Sequence, residues 1–258
     1  MREPAQRWCR CGTRRIYGQL FLPEAPERPP LVIFSHELGS SHRSGVPYAQ
    51  RLAERGWACY TLDYCGGSVP AAQNRSDGDT RHMSMLTEAE ELCAVLREGR
   101  CWPEVDGSRV VLLGGSQGGV VSFLAARREP VQGLIMMYPA LYVSQDVHAR
   151  FGSRENIPEE YGMFDGWITV GRRYALDMWD LDLFGLFASY TGSVLLLHGD
   201  RDDTVDISWA NRAAQAFPSC EYRVIHGGAH KFHEKAFEDA LGFILPYLEK
   251  HLPLRPDA

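Results

Sequence analysis

One serine stands among four glycines in Gly114-Gly115-Ser116-Gln117-Gly118-Gly119, directly after the apolar run Val110-Val111-Leu112-Leu113. The run reads as a buried strand and the following VVSFLAARR as a helix, so the spacing G-x-S-x-G falls on a strand-to-helix turn. Such a turn holds the Ser116 hydroxyl clear of its neighbours, and flanking glycines let strand and helix approach closely. A glycine-rich turn ahead of a helix can instead cradle a phosphate, but no lysine follows as in a P-loop. A serine hydroxyl is a poor nucleophile until a base takes its proton and a carboxylate fixes the tautomer of that base. The second half of the chain offers both: DRDDTVD at 200–206 contains Asp200, Asp202 and Asp203, and HGGAHKFH at 226–233 contains His226, His230 and His233. The H-x3-H-x2-H spacing of the histidines imitates a metal site. The two glycines inside it oppose a helix that would present all three on one face, so neither a metal nor a cofactor is expected.

These residues need a scaffold, and apolar runs alternating with helical patterns describe one. Strands are expected at 15–23, 30–36, 58–64, 109–115, 133–139, 193–199 and 221–227, and helices at about 45–55, 87–100, 117–128, 205–217 and 233–250. The alternation is that of βαβ units around a mostly parallel, doubly wound sheet flanked by helices, in a single α/β domain over 1–258. Thr87 followed three residues later by Glu90 reads as a capping box opening the second helix. Ser116 and the acid and histidine segments each then follow a strand.

From about 141 to 190 the alternation fails. Ten of these fifty residues are aromatic, against 11% in the whole chain. A connection of this length inside a compact domain commonly caps a site, and aromatics either line such a cap or fill its own small core. A lid or cap insertion is expected here.

A net charge of −6 and an isoelectric point near 5.9 argue against a nucleic-acid or anionic-membrane partner. The polar N-terminal stretch MREPAQRWCRCGTRR has no apolar run of signal-peptide length, and no run of about 18 apolar residues occurs to span a bilayer. A soluble, cytoplasmic protein is expected, with a homodimer left open. Seven cysteines, an odd number scattered through strand-like and helix-like segments, fit reduced thiols better than a disulfide framework. Cys9 and Cys11 lack the second pair that a zinc site needs.

GGSQGGVVS, the YPA after the next strand, GRRYALDMWDLDLFGLFASYTGSVLLLHGDRDDTV and GGAHKF, with DYCGGS and SMLTEAEEL upstream, carry a resemblance across nearly the whole chain. The chain resembles the α/β-hydrolases, and within them the small bacterial cinnamoyl or feruloyl esterases and related intracellular carboxylesterases. The resemblance implies the α/β-hydrolase fold, a small-molecule ester substrate, Ser116 as nucleophile and His230 as base. The family's H-G-x-x-D-x-x-V pattern is matched by His198, Gly199, Asp202 and Val205, which makes Asp202 the acid, with Asp203 and Asp200 as fallbacks. His226 and His233 are then structural or surface residues.

The oxyanion of acyl transfer needs two N–H donors. The resemblance implies the backbones of Gln117, next after the nucleophile, and Leu38, in the loop after the strand at 30–36. Two positions depart from the family: Glu37 stands where relatives usually carry glycine, and Gly115 where a histidine commonly precedes the nucleophile. By position, Asp146 and Tyr174 are the expected polar contacts to the hydroxyls of a hydroxycinnamate. Asp63, Asp77 and Asp79 are read as strand-end and loop residues, and Cys65 is set aside because the elbow already holds a serine. The expected activity is carboxylic ester hydrolysis through an acyl-enzyme. A peptidase or thioesterase on the same fold is the enzymatic alternative, the peptidase weakened by the lack of a preceding propeller domain. A non-catalytic ligand receptor is the alternative of another class.

Overall fold

The computed structural model describes residues 2–25, 27–70 and 73–254. Ten strands and eight α-helices are found among them: β1 (Ala5–Cys11), β2 (Arg14–Phe21), β3 (Pro30–Ser35), α1 (Val46–Glu54), β4 (Ala58–Leu62), α2 (Met85–Gly99), β5 (Asp106–Gly115), α3 (Gln117–Ala126), β6 (Gly133–Met137), α4 (Val143–Phe151), β7 (Glu160–Met163), β8 (Ile168–Gly171), α5 (Arg172–Trp179), α6 (Leu183–Ala188), β9 (Val194–Gly199), α7 (Ile207–Ala216), β10 (Cys220–Ile225) and α8 (Glu234–His251). Eight strands form one sheet in the order β1-β2-β4-β3-β5-β6-β9-β10. Every pairing from β4 to β10 is parallel, and β1 and β2 add an antiparallel edge. This is the α/β-hydrolase architecture that the resemblance implied.

The buried strands explain their apolar runs. Side chains alternate between faces, so Val110 and Leu112 enter one core with α2, α3 and α7, while Val111 and Leu113 enter the other with α1 and α8. Helix α3 is buried along all ten residues, which accounts for a sequence apolar on every side. Its outward face is covered by the insertion: Phe123 packs edge-on against Phe187 and Tyr190.

That insertion, between β6 and β9, is more ordered than the irregular pattern suggested. It consists of α4, the antiparallel β7–β8 hairpin, α5 and α6. The hairpin turn puts Phe164, Asp165 and Gly166 at positive φ, the conformation that an Asp-Gly pair accommodates.

Helix α2 starts earlier than the spacing suggested. Its capping box is Ser84 with Thr87: Thr87 N–H donates to Ser84 Oγ, and Ser84 N–H donates to Thr87 Oγ1. Thr87 is therefore the third helical residue rather than the cap. Glu88 and Glu91 lie on the buried face of the helix. Burial pushes the Glu91 carboxyl up to about 7, against the opposing bond from Cys65 N–H (2.8 Å) and the pairing with Arg14 (2.6 Å). A carboxyl raised in the folded state keeps its proton after the unfolded chain has released it, so its contribution to stability declines as pH climbs from about 4.5 to about 7. Glu91→Gln cannot ionise. Its melting temperature relative to wild type is therefore expected to rise by roughly 5 °C between pH 5 and pH 7.5. Paired thermal melts across that range check this, and a pH-independent difference refutes it.

Candidate active site

Ser116 lies between β5 and α3 with φ 50° and ψ −120°, a conformation that a side-chain-bearing residue adopts only under constraint. The constraint is visible. Ser116 N–H donates to Met137 O (2.9 Å), and Ser116 O accepts from Gly119 N–H (3.0 Å) and Ala140 N–H (3.2 Å). Glycines allow the approach: a Cβ on Gly114 would collide with the Gly118 carbonyl, and one on Gly118 with the carbonyls of Ser35 and His36. The hydroxyl ends at the floor of a cavity, with Ser116 only 8% exposed.

His230, in the loop between β10 and α8, places Nε2 3.1 Å from Ser116 Oγ and Nδ1 2.9 Å from Asp202 Oδ2. Asp202 follows β9. Its other oxygen, Oδ1, accepts from Thr204 N–H (2.9 Å) and Val205 N–H (2.8 Å), and its carboxylate is wholly buried. Burial alone would raise this carboxyl, but the bonds from His230, Val205 and Thr204 outweigh it and hold the group below the ordinary aspartate range. His198 also faces Oδ2, at 3.4 Å, while donating from Nε2 to Val205 O (2.8 Å). The two fallback acids lie elsewhere: Asp200 pairs with His226 (2.9 Å), and Asp203 is exposed with Thr204 Oγ1 at 3.3 Å.

Leu38, Ser116, Gln117 and His230 wall one cavity of about 250 Å3, together with Glu37, Tyr142, Thr204 and Lys231. Among the described residues, neither Leu38 N–H nor Gln117 N–H donates to a protein acceptor. Glu37 takes no left-handed backbone conformation; the positive φ in this loop, 69°, belongs to Gly39. The insertion also contributes Met163, Phe164, Trp167 and Tyr174 to the lining. Tyr174 donates its hydroxyl to Gln117 Oε1 (2.7 Å), and Gln117 Nε2 donates to Glu88 Oε2 (2.8 Å). Full burial drives the Glu88 carboxyl well above its usual range. Asp146 is exposed on the first turn of α4 and does not itself line the cavity, although its charge acts on the lining residues Tyr142 and Tyr174.

The remaining acids and thiols are engaged structurally. Asp63 accepts from His42 N–H (2.6 Å), His42 Nδ1 (2.8 Å) and Arg75 N–H (3.0 Å). Asp77 pairs with Arg15, and Asp79 caps its own loop at Arg81 N–H. Burial pushes the Cys65 thiol far up, which denies it thiolate character. His233 precedes the first turn of α8. Among the described residues no group of three or more His, Cys, Asp or Glu is arranged to hold a metal ion, and no helix is long and apolar enough to cross a membrane. Reasoning from sequence passed over Glu88 and treated His198 only as a motif match. A glutamate on the apolar stripe of α2, between Met85 and Leu92, is the signal that would have found the first.

Comparison with curated protein sequences returned no match. Among solved structures, the chain superposes on Est1E from Butyrivibrio proteoclasticus with ferulic acid bound (TM-score 0.84, 23% identity, covering 95% of this chain and 99% of that one). It also superposes on α/β hydrolase domain-containing protein 10 from mouse (TM-score 0.77, 21% identity, 96% and 99%) and on a monoacylglycerol lipase from Paleococcus ferrophilus (TM-score 0.69, 18% identity, 92% and 99%). At these identities the likeness is one of fold. A family model, Hydrolase_4, described as serine aminopeptidase, S33, matches residues 26–158 and so takes in the loop of Glu37 and Leu38, Ser116 and all of α3. That match spans just over half of the chain, and with the sheet order it establishes that this chain is an α/β hydrolase belonging to the Hydrolase_4 family.

Proposed function

We propose that this hydrolase cleaves carboxylic esters through an acyl-enzyme. The observation that carries the reading is the continuous chain from Ser116 Oγ through His230 to Asp202, at 3.1 and 2.9 Å, opening on a cavity walled by apolar and aromatic groups. Ser116 Oγ attacks the ester carbonyl while His230 Nε2 takes its proton; Asp202 keeps the Nδ1–H tautomer and balances the imidazolium that forms. The N–H groups of Leu38 and Gln117 receive the oxyanion. Collapse of the tetrahedral intermediate breaks the C–O bond, and His230 returns the proton to the leaving alkoxide. Water, deprotonated by the same histidine, then attacks the acyl carbonyl and releases Ser116. A site of this kind needs no metal or cofactor.

The aromatic wall supports a hydroxycinnamoyl acyl group, with the insertion acting as the cap over it. Phe164 and Trp167, both lining the cavity, are aromatic groups against which a ring can pack. Because Tyr174 spends its proton on Gln117 Oε1, its oxygen keeps lone pairs free to accept from a substrate phenol. Asp146, on the outer surface of α4, has no part in this reading. The fold likeness to Est1E with ferulic acid bound points the same way.

The test is one panel: methyl ferulate, methyl cinnamate, methyl butyrate, p-nitrophenyl esters, acyl thioesters and aminoacyl p-nitroanilides. Methyl ferulate is expected to show a higher kcat/KM than methyl butyrate. Tyr174→Phe is expected to narrow the ferulate-to-cinnamate ratio by about tenfold, since a partner for the phenol is lost; the ratio cancels any effect of the Gln117 bond on machinery common to both substrates. Butyrate turnover with inert hydroxycinnamates leaves the ester reading and removes the acyl assignment. The family description favours a second reading, aminopeptidase. Fast anilide cleavage with slow ester cleavage would establish that one instead.

A further inference from the structure

Two departures from the family pattern, Glu37 and Gly115, meet at one point in space. A Cβ on Gly115 would stand 2.8 Å from Tyr138 Oη and 3.0 Å from Glu37 Oε1. Those two atoms are bonded to each other, with Tyr138 O–H donating to Glu37 Oε1 at 3.0 Å. Gly115 has no positive φ, so crowding by this pair, and not backbone conformation, is what keeps a side chain out.

The pair is buried and connected to the reaction centre on two sides. Glu37 immediately precedes Leu38. Tyr138, at φ 37°, is held by its own N–H to Leu197 O (2.7 Å) and sets its ring edge-on to His230 (5.0 Å between centroids) and to Phe232 (4.8 Å). Glu37 is 5% exposed, and among the described residues its Oε2 has no hydrogen-bond partner. An orphaned buried carboxylate oxygen is costly, and a purely space-filling role would be served better by an apolar side chain. Resting on the ester-hydrolase reading above, we propose that Glu37 is a positioning residue: through Tyr138 it ties the oxyanion loop to the ring that packs on His230, in space vacated by Gly115.

Since the tie acts on donors and base that matter most in the transition state, its loss belongs in kcat rather than in KM. Glu37→Ala and Tyr138→Phe are each expected to lower kcat on the best panel ester by about 10- to 100-fold, with KM changed by less than about threefold. Glu37→Gln, which still accepts from Tyr138, is expected to recover most of that loss. Gly115→Ala displaces the pair and is expected to lower both kcat and melting temperature in the wild-type background, and to lower them less in Glu37→Ala, where Tyr138 no longer has a bond to Glu37 to lose and can move aside from the new methyl.

The experiment is this cycle, read by steady-state kinetics, by the rate of fluorophosphonate labelling at Ser116 and by thermal melts. Non-additivity in all three supports the tie. Additive effects overturn it, as does coupling confined to the melts with kcat unchanged in Glu37→Ala, which reduces the pair to packing. The melts need no turnover, so a wild-type enzyme that cleaves none of the esters would sink the function proposed above while still deciding whether positions 37 and 115 are coupled.

Discussion

Ser116→Ala is expected to lower turnover of the best ester by at least about 10^4-fold, because in the proposed mechanism nucleophile, base and acid act as one unit and the residual rate comes from the oxyanion donors and binding alone. Retention of the fold is part of the expectation. Among the described residues the Ser116 hydroxyl bonds only to His230, and the bonds that hold the strained φ of 50° run through the backbone of Ser116 to Met137, Gly119 and Ala140. Alanine keeps them all. Its melting temperature should therefore stay within a few degrees of wild type while fluorophosphonate labelling disappears. A folded Ser116→Ala protein that still hydrolysed ester at a rate near wild type would remove the acyl-enzyme mechanism entirely.

The parts of the site that could be read in the sequence are those fixed by backbone geometry. The glycines around Ser116 had to be small because the Gly118 backbone lies against those of Gly114, Ser35 and His36, and that requirement is written in a few adjacent residues. The core strands were legible for a related reason: buried on both faces, they show as continuous apolar runs such as Val110 to Leu113. Strand β1 was not. It is an edge strand whose burial alternates through AQRWCRC, so its polar outward residues Gln6 and Arg10, with Arg7 between them, resembled a polar terminus. The β7–β8 hairpin was hidden because each strand has only four residues, although the Asp165-Gly166 pair signalled its turn.

Side-chain relations across the sheet left no trace that spacing could reveal. Glu37 and Tyr138 are 101 positions apart, and Tyr174 reaches Gln117 across 57. Each looks like an isolated departure or a lone aromatic until the fold brings the partners together. Asp146 shows the converse. A position inferred from resemblance alone put it at the acyl pocket, but its side chain is exposed at the edge of the α4 stripe that Val143 and Val147 bury, and it does not line the cavity.

Asp202→Asn is expected to lower kcat by about 10^4-fold, and Asp203→Asn by less than about twofold. The asymmetry follows from which groups face each oxygen. Oδ2 faces His230 Nδ1 and His198 Nε2, whereas Oδ1 accepts from the backbone N–H groups of Thr204 and Val205. An asparagine amide must turn its NH2 toward one side. Toward Thr204 and Val205 it would oppose two donors that cannot change, so it turns to His230, whose proton can move from Nδ1 to Nε2. The imidazole then points N–H at Ser116 Oγ and has no lone pair to accept the serine proton. Geometry and fold survive while the base is disabled, and for that reason Ser116 labelling should slow in parallel with kcat. Asp203 is exposed, and among the described residues its carboxylate hydrogen-bonds to Thr204 Oγ1 and not to His230. Kinetics of the two variants measured side by side settle the assignment: a larger loss in Asp203→Asn than in Asp202→Asn would transfer the acid to Asp203 and contradict the geometry on which the proposed mechanism rests.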